Sequence, residues 1–218
     1  MKILENTKKY IGEKAILRKV RLNTRSVKSC NLKEAKSVGI VFDATHVVCF
    51  DVIKSFTKQL TDIGIKVSAL GYVQDKKLID HYLYRKGFLF FTNAQLNWYS
   101  RPYGNDVNGF IKKPFDILFN LSLQSNYPID YIVASSMAAF KTGRFIQKAN
   151  YLDLTIDFDL KNSPLKDIQN DISDINTKIS FTPFTEKNVE SQLNYLIEQL
   201  MHYLNSLNQK PMKIVSPV

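Results

Sequence analysis

The amino-acid sequence predicts an α/β fold: a three-layer, Rossmann-like arrangement with a mostly parallel sheet of about five or six strands, preceded by a basic N-terminal helical arm. Three observations predict it. Short β-branched runs such as Val38-Gly-Ile-Val-Phe42 lack polar alternation, which is how a strand covered on both faces reads. Helical stripes separate those runs, as a layered α/β fold requires. The composition of the 218 residues, 44% hydrophobic and 23% charged, is that of a globular chain long enough to bury a core.

The first element is a helix over Lys8–Leu22, a stretch without proline and rich in helix formers. Its apolar positions Tyr10, Ile11, Leu17, Val20 and Leu22 form a loose stripe broken by Lys14, Arg18 and Arg21. Residues 1–36 hold a net +8 of the chain's +10. Residues 1–30 are therefore expected as a basic arm on a single α/β domain over 31–218. Asn31 to Glu34 has capping-box spacing and predicts a short helical turn. Val38–Phe42 is the first strand. Asp43-Ala-Thr45 supplies N-cap chemistry for a helix running from Val47 to about Ile63, with Gly64 at its end. Lys66–Val73 is the second strand, closing one parallel βαβ unit.

The pattern then repeats. Phe88–Phe91 is a third strand, reached through a helical or irregular stretch near Leu78–Tyr84. A long polar-aromatic connection, Thr92 to Pro114, is expected to hold a helical turn near Gln95–Tyr99. Phe115–Leu121 is a fourth strand, Pro128–Met137 a helix with proline in its first turn, Phe140–Gly143 a short fifth strand or a turn, and Leu152–Phe158 a sixth strand. Glu186–Leu207 is expected as a long amphipathic helix with Val189, Leu193, Leu196, Ile197, Leu200, Tyr203 and Leu204 on one face. The polar stretch between them, about 161–185, is expected as an insertion.

The opening residues Met1–Asn6 lack a signal-peptide core, and no run approaches the roughly 20 apolar residues of a membrane span. Cys30 and Cys49 form no CxxC spacing, so reduced thiols and a cytoplasmic location are expected.

Ligands of open parallel sheets bind beyond the carboxyl ends of the strands, near a switch in strand order. Polar residues expected at such ends are Asp43, Thr45 and His46, then Ser122, then Lys141 and Arg144. A helix start at Thr45–His46 offers free amides to an anion, Arg144 a bidentate phosphate contact with Gly143 allowing close approach, and Lys141 a point charge. No GxGxxG or GxxxxGK[ST] motif accompanies them, and no cofactor is expected. His46 and Cys49 share a helix face without further ligands, so no metal is expected either. Asp153, Asp157 and Asp159 alternate with apolar residues and read as the solvent side of a half-exposed strand, structural bystanders rather than a carboxylate site. The block Asn93–Pro102 contains the single tryptophan, Trp98, beside Tyr99 and Arg101, residue types favoured in contacts; the competing reading has Trp98 plugging the edge of the core.

The strings Ser37–Thr45, Ala69–Val73, Leu96–Tyr99, Lys113–Leu118, Tyr127–Ala134 and Ala139–Arg144 resemble a bacterial family of uncharacterised proteins, over roughly residues 30–160 and the last helix. That resemblance implies no activity, substrate or catalytic residue. Phe115–Ser122, with the following helix and Ala139–Arg144, is similar to the acceptor-side half of heptosyltransferase-type glycosyltransferases, which also need a nucleotide-binding domain for which this chain leaves little room.

Two functions fit these observations. In the first, an accessory, non-catalytic protein binds RNA or a ribosomal particle through Lys8, Lys9, Lys14, Arg18, Lys19, Arg21 and Arg25. The ragged apolar stripe makes a membrane surface a less fitting partner. In the second, a small enzyme or binding domain holds a nucleotide or phosphorylated ligand at the strand carboxyl ends.

Overall fold

In chain order the elements are α1 (Lys2–Leu22), β1 (Ser37–Asp43), α2 (Val47–Asp62), β2 (Lys66–Val73), β3 (Phe88–Thr92), α3 (Asn105–Lys112), β4 (Ile117–Asn120), α4 (Tyr127–Ser135), β5 (Phe140–Arg144), β6 (Leu154–Ile156) and α5 (Glu186–Ser206). They come from a computed structural model that describes residues 2–83, 85–146, 151–157 and 186–207. The strands join in one sheet of order β3-β2-β1-β4-β5-β6, and every neighbouring pair is parallel. This is the doubly wound order: the chain works outward from β1 to one edge, then returns to β4 and works outward to the other.

Alternation along each strand divides the core into two layers. From β1, Val38, Ile40 and Phe42 point into a core that α2 and α5 close with Phe50, Ile53, Phe56, Leu193, Leu196 and Leu200. Val41 points to the opposite face, where Val107 and Phe110 of α3 and Ile129, Ile132 and Val133 of α4 cover it. The α/β layering expected from the sequence is therefore present.

Three elements differ from expectation. α3 was not anticipated, because only Val107 and Phe110 of its eight residues are buried and Asn105, Asn108 and Gly109 read as a loop. Among its described residues the crossover from β2 to β3 contains only a 3-10 turn, Asp80–Tyr82, anchored by the Tyr82 hydroxyl donating to the Ala44 carbonyl at 2.6 Å. The turn expected near Gln95–Tyr99 lies earlier, at Asn93–Gln95, where Thr92 and Gln95 form a capping box. Phe158, Asp159 and the 161–185 stretch fall outside the described residues.

The basic N-terminal helix is docked on the body. Ile16 and Val20 pack on the α3–α4 core, and Gly12 lies against the Tyr127 ring so closely that a Cβ there would stand 2.7 Å from it. Just after α1, Asn23 Nδ2 donates to the carbonyls of Ala134 (3.1 Å) and Ser136 (2.9 Å), capping the end of α4. Among the described residues no helix is long and apolar enough to cross a membrane.

Candidate functional site

At the switch between β1 and β4 the strand ends open a cavity of about 290 Å³. Three expected residues line it: Asp43 from the end of β1, and Thr45 and His46 from the turn into α2. The sequence did not flag its remaining polar lining, Gln74 and Gln124, or its lid, Val189 and Leu193 of α5. Nothing in residue spacing joins a helix near residue 190 to a strand near 40; tertiary packing alone does so. The Thr45 hydroxyl accepts from the Gln74 backbone amide (3.1 Å), and Asp43 accepts from the Thr45 amide (2.9 Å). Burial and the neighbouring Asp43 carboxylate push the Cys49 thiol up to about 12, so it stays protonated and is no nucleophile at neutral pH.

The other expected ligand residues do not converge there. Ser122 is buried and leaves the wall to Leu121 and Leu123. Arg144 does not line the cavity; its Nη1 donates to the Leu123 carbonyl at 2.5 Å. Gly143 provides close approach as expected, but to the neighbouring strand: a Cβ would stand 2.8 Å from the Asn120 carbonyl oxygen.

Lys141 departs furthest from expectation. It registers with Leu118 near the amino end of β5, is 1% exposed, and points away from the cavity's side of the sheet. Its ammonium nitrogen donates to the carbonyls of Val133 (2.7 Å) and Ala134 (3.3 Å) in the last turn of α4, where the helix leaves acceptors unpaired. Burial first, and the nearby Arg25 charge second, lower its pKa to about 7. A carboxylate at the cavity and two cations turned to backbone carbonyls do not make a phosphate site.

A different surface collects charge. Lys8, Lys9, Lys14, Arg18, Lys19 and Arg21 are all exposed on α1. Arg25, expected among them, is committed elsewhere: its guanidinium pairs with Asp153 at 2.6 Å and donates to the Ala139 carbonyl at 2.9 Å. Asp153 correspondingly has a structural role, as the ion-pair partner of Arg25, while Asp157 is exposed as expected. Lys14, Arg18 and Arg21, spaced i, i+4 and i+7, run along one side of α1.

Beside them lies a groove of about 460 Å³ whose far wall is Tyr99, Arg101 and Tyr131. Two cations flank the Tyr131 ring, Arg101 at 5.3 Å and Lys19 at 6.0 Å from its centroid. A hydrogen bond from Arg101 holds the Tyr99 hydroxyl below its ordinary pKa. Among the described residues no carboxylate lies within ion-pair distance of Lys14, Arg18, Lys19, Arg21 or Arg101. Next to Tyr99 stands Trp98, 60% exposed and edge-on to the Tyr99 ring with centroids 5.2 Å apart. The core-plug reading of Trp98 is thereby overturned.

No curated protein and no solved structure matches this chain. Matched over residues 8–168, from α1 through all six strands of the sheet, the chain belongs to DUF6913, a family of unknown function.

Proposed function

We propose that this protein is an accessory, non-catalytic RNA-binding protein that grips the phosphate backbone with the exposed side of α1 and with Arg101. The observation that carries this reading is a line of cations without acidic partners on a helix fixed to the body: Lys14, Arg18 and Arg21 on one side, with Lys19 and Arg101 around Tyr131. Clustered like charges repel one another, and a polyanion relieves that cost while releasing its condensed counterions. Docking of α1 through Gly12, Ile16 and Val20 means the cations are held in place before any partner arrives, which lowers the entropy lost on binding.

Fluorescence anisotropy with a labelled RNA oligonucleotide tests this across a salt series. For the wild type, affinity should fall steeply with salt. Replacing Lys14, Arg18 and Arg21 by Gln should flatten the log–log slope by about 2, at roughly 0.7 per phosphate contact on a single strand. Charge substitution is the right perturbation, because removing residues 1–29 would also strip the Asn23 cap and the Arg25 pair from the body. An unchanged slope, or no binding by the wild type, overturns the proposal. Anionic vesicles serve as the control: preferential binding to them would assign the same charges to a membrane surface.

A further inference from the structure

We infer that the RNA bound here is single-stranded, with an unpaired base stacked on the Trp98 indole while its flanking phosphates lie on Arg18, Lys14 and Arg101; this rests on the RNA-binding reading of α1. The inference starts from how the chain holds Trp98 in water. A large aromatic ring left 60% exposed forgoes the burial that normally fixes its place. Here the backbone fixes it instead. Leu96 and Pro102 form an isolated antiparallel bridge, and between them Asn97 ties the tip together. The Asn97 side-chain oxygen accepts from the backbone amides of Tyr99 (3.2 Å) and Arg101 (2.8 Å), the Asn97 backbone amide donates to the Arg101 carbonyl (3.0 Å), and the Asn97 backbone carbonyl accepts from the Ser100 amide (2.9 Å).

The tip closes only because Ser100 adopts φ +66°, a left-handed conformation unusual for a residue with a Cβ. Strain of this kind persists where surrounding contacts over-determine it, and such positions cluster at functional sites. In the loop so closed, Trp98 is left exposed while Tyr99 and Arg101 line the groove shared with α1.

An exposed indole in contact with Tyr99, which itself lines a cationic groove, supplies the two parts of a single-strand site: a stacking platform and a track for the backbone. Stacking needs a free π-face. Inside an RNA duplex the faces are occupied by neighbouring bases and the readable edges are sunk in the grooves, so a paired helix offers Trp98 a stacking face only at its two ends. The cations alone serve both forms; Trp98 is what distinguishes them.

Because Trp98 is the single tryptophan of the chain, its emission reports on this position alone. Full-length protein is titrated with a 12-nucleotide oligo(U) and, separately, with a 12-base-pair RNA duplex, following both Trp98 emission and anisotropy of a label on the RNA. The expected result is strong quenching by oligo(U) and far weaker quenching by the duplex. Trp98→Ala should weaken oligo(U) binding roughly ten- to a hundred-fold and leave duplex binding and the salt slope unchanged. Trp98→Phe should recover most of the loss. Circular dichroism confirms that the variants are folded, as a mostly exposed side chain leads one to expect. Salt-dependent binding of both RNAs without quenching, or an unaffected Trp98→Ala variant, overturns the stacking inference and leaves the proposed function standing. Absence of binding to either RNA overturns both.

Discussion

Arg25 and Asp153, 128 residues apart in sequence, meet at 2.6 Å with their side chains only 11% and 16% exposed. The second Asp153 oxygen accepts from the Lys141 backbone amide at 2.8 Å, while Arg25 also donates to the Ala139 carbonyl. One pair of side chains thus joins the segment after α1, the start of β5 and the approach to β6.

Breaking this pair leaves a largely desolvated partner behind. Asp153→Ala should lower stability by about 1.5–3 kcal/mol, read as a fall in the urea midpoint without a change of slope. The double variant with Arg25→Ala should cost clearly less than the sum of the single ones. Strict additivity would show that the two residues act separately.

Gly12 sets two effects against each other. Alanine in a helix interior gains about 1 kcal/mol over glycine. At this position its Cβ would stand 2.7 Å from the Tyr127 ring, and overpacking of a fitted contact costs about 1–3 kcal/mol. Steric cost is the larger, so Gly12→Ala should destabilise by roughly 1 kcal/mol. Gly109→Ala on α3, where a Cβ meets open space, should do the opposite. A stabilised Gly12→Ala variant would mean that α1 is not held against α4.

Buried Lys141 gives the protein a pH signature. Its pKa is about 7 when folded and 10.5 for the unperturbed amine, so between those values the unfolded chain binds more protons than the folded one. Stability must therefore rise with pH across that window, and this contribution is flat below pH 7. Above about pH 10 the buried phenols Tyr72 and Tyr82, raised to about 12, pull the other way. Denaturation midpoints between pH 6.5 and 9.5 should climb for the wild type and lose that climb in Lys141→Met. An equal slope in both would show that another group titrates there.

Much of this architecture was legible in the sequence because strands buried on both faces leave unmistakable marks. Val38–Phe42 and Lys66–Val73 were recognised from β-branched runs, and α2 and α5 from apolar spacing, since each local pattern agrees with the final fold. Where burial is partial, the marks fade: α3 rests on Val107 and Phe110 alone. The site was harder still. Polar residue types located Asp43, Thr45 and His46 correctly at a strand end, but they could not show that Lys141, three residues before Arg144, points to the other face and into α4. Likewise, the basic helix and the Trp98 block were each visible in isolation. Their meeting across Tyr131 depends on packing between residues more than 100 positions apart, which no local pattern encodes.

The docking of α1 on α4 also sets a timetable for biosynthesis. Asn23 finds its acceptor on Ser136, 113 residues later, so α1 must wait for most of the sheet to be made before its seat exists. At about 5–20 residues per second, that wait is on the order of ten seconds. Throughout it Ile16 and Val20 have no core to enter, and the cations of α1 travel beside ribosomal RNA on a nascent chain. Closure then comes late, when the end of α4 appears and Asn23 and Arg25 can bridge to it. A chain stalled before residue 136 would present the same basic helix without the Ser136 acceptor that fastens its end.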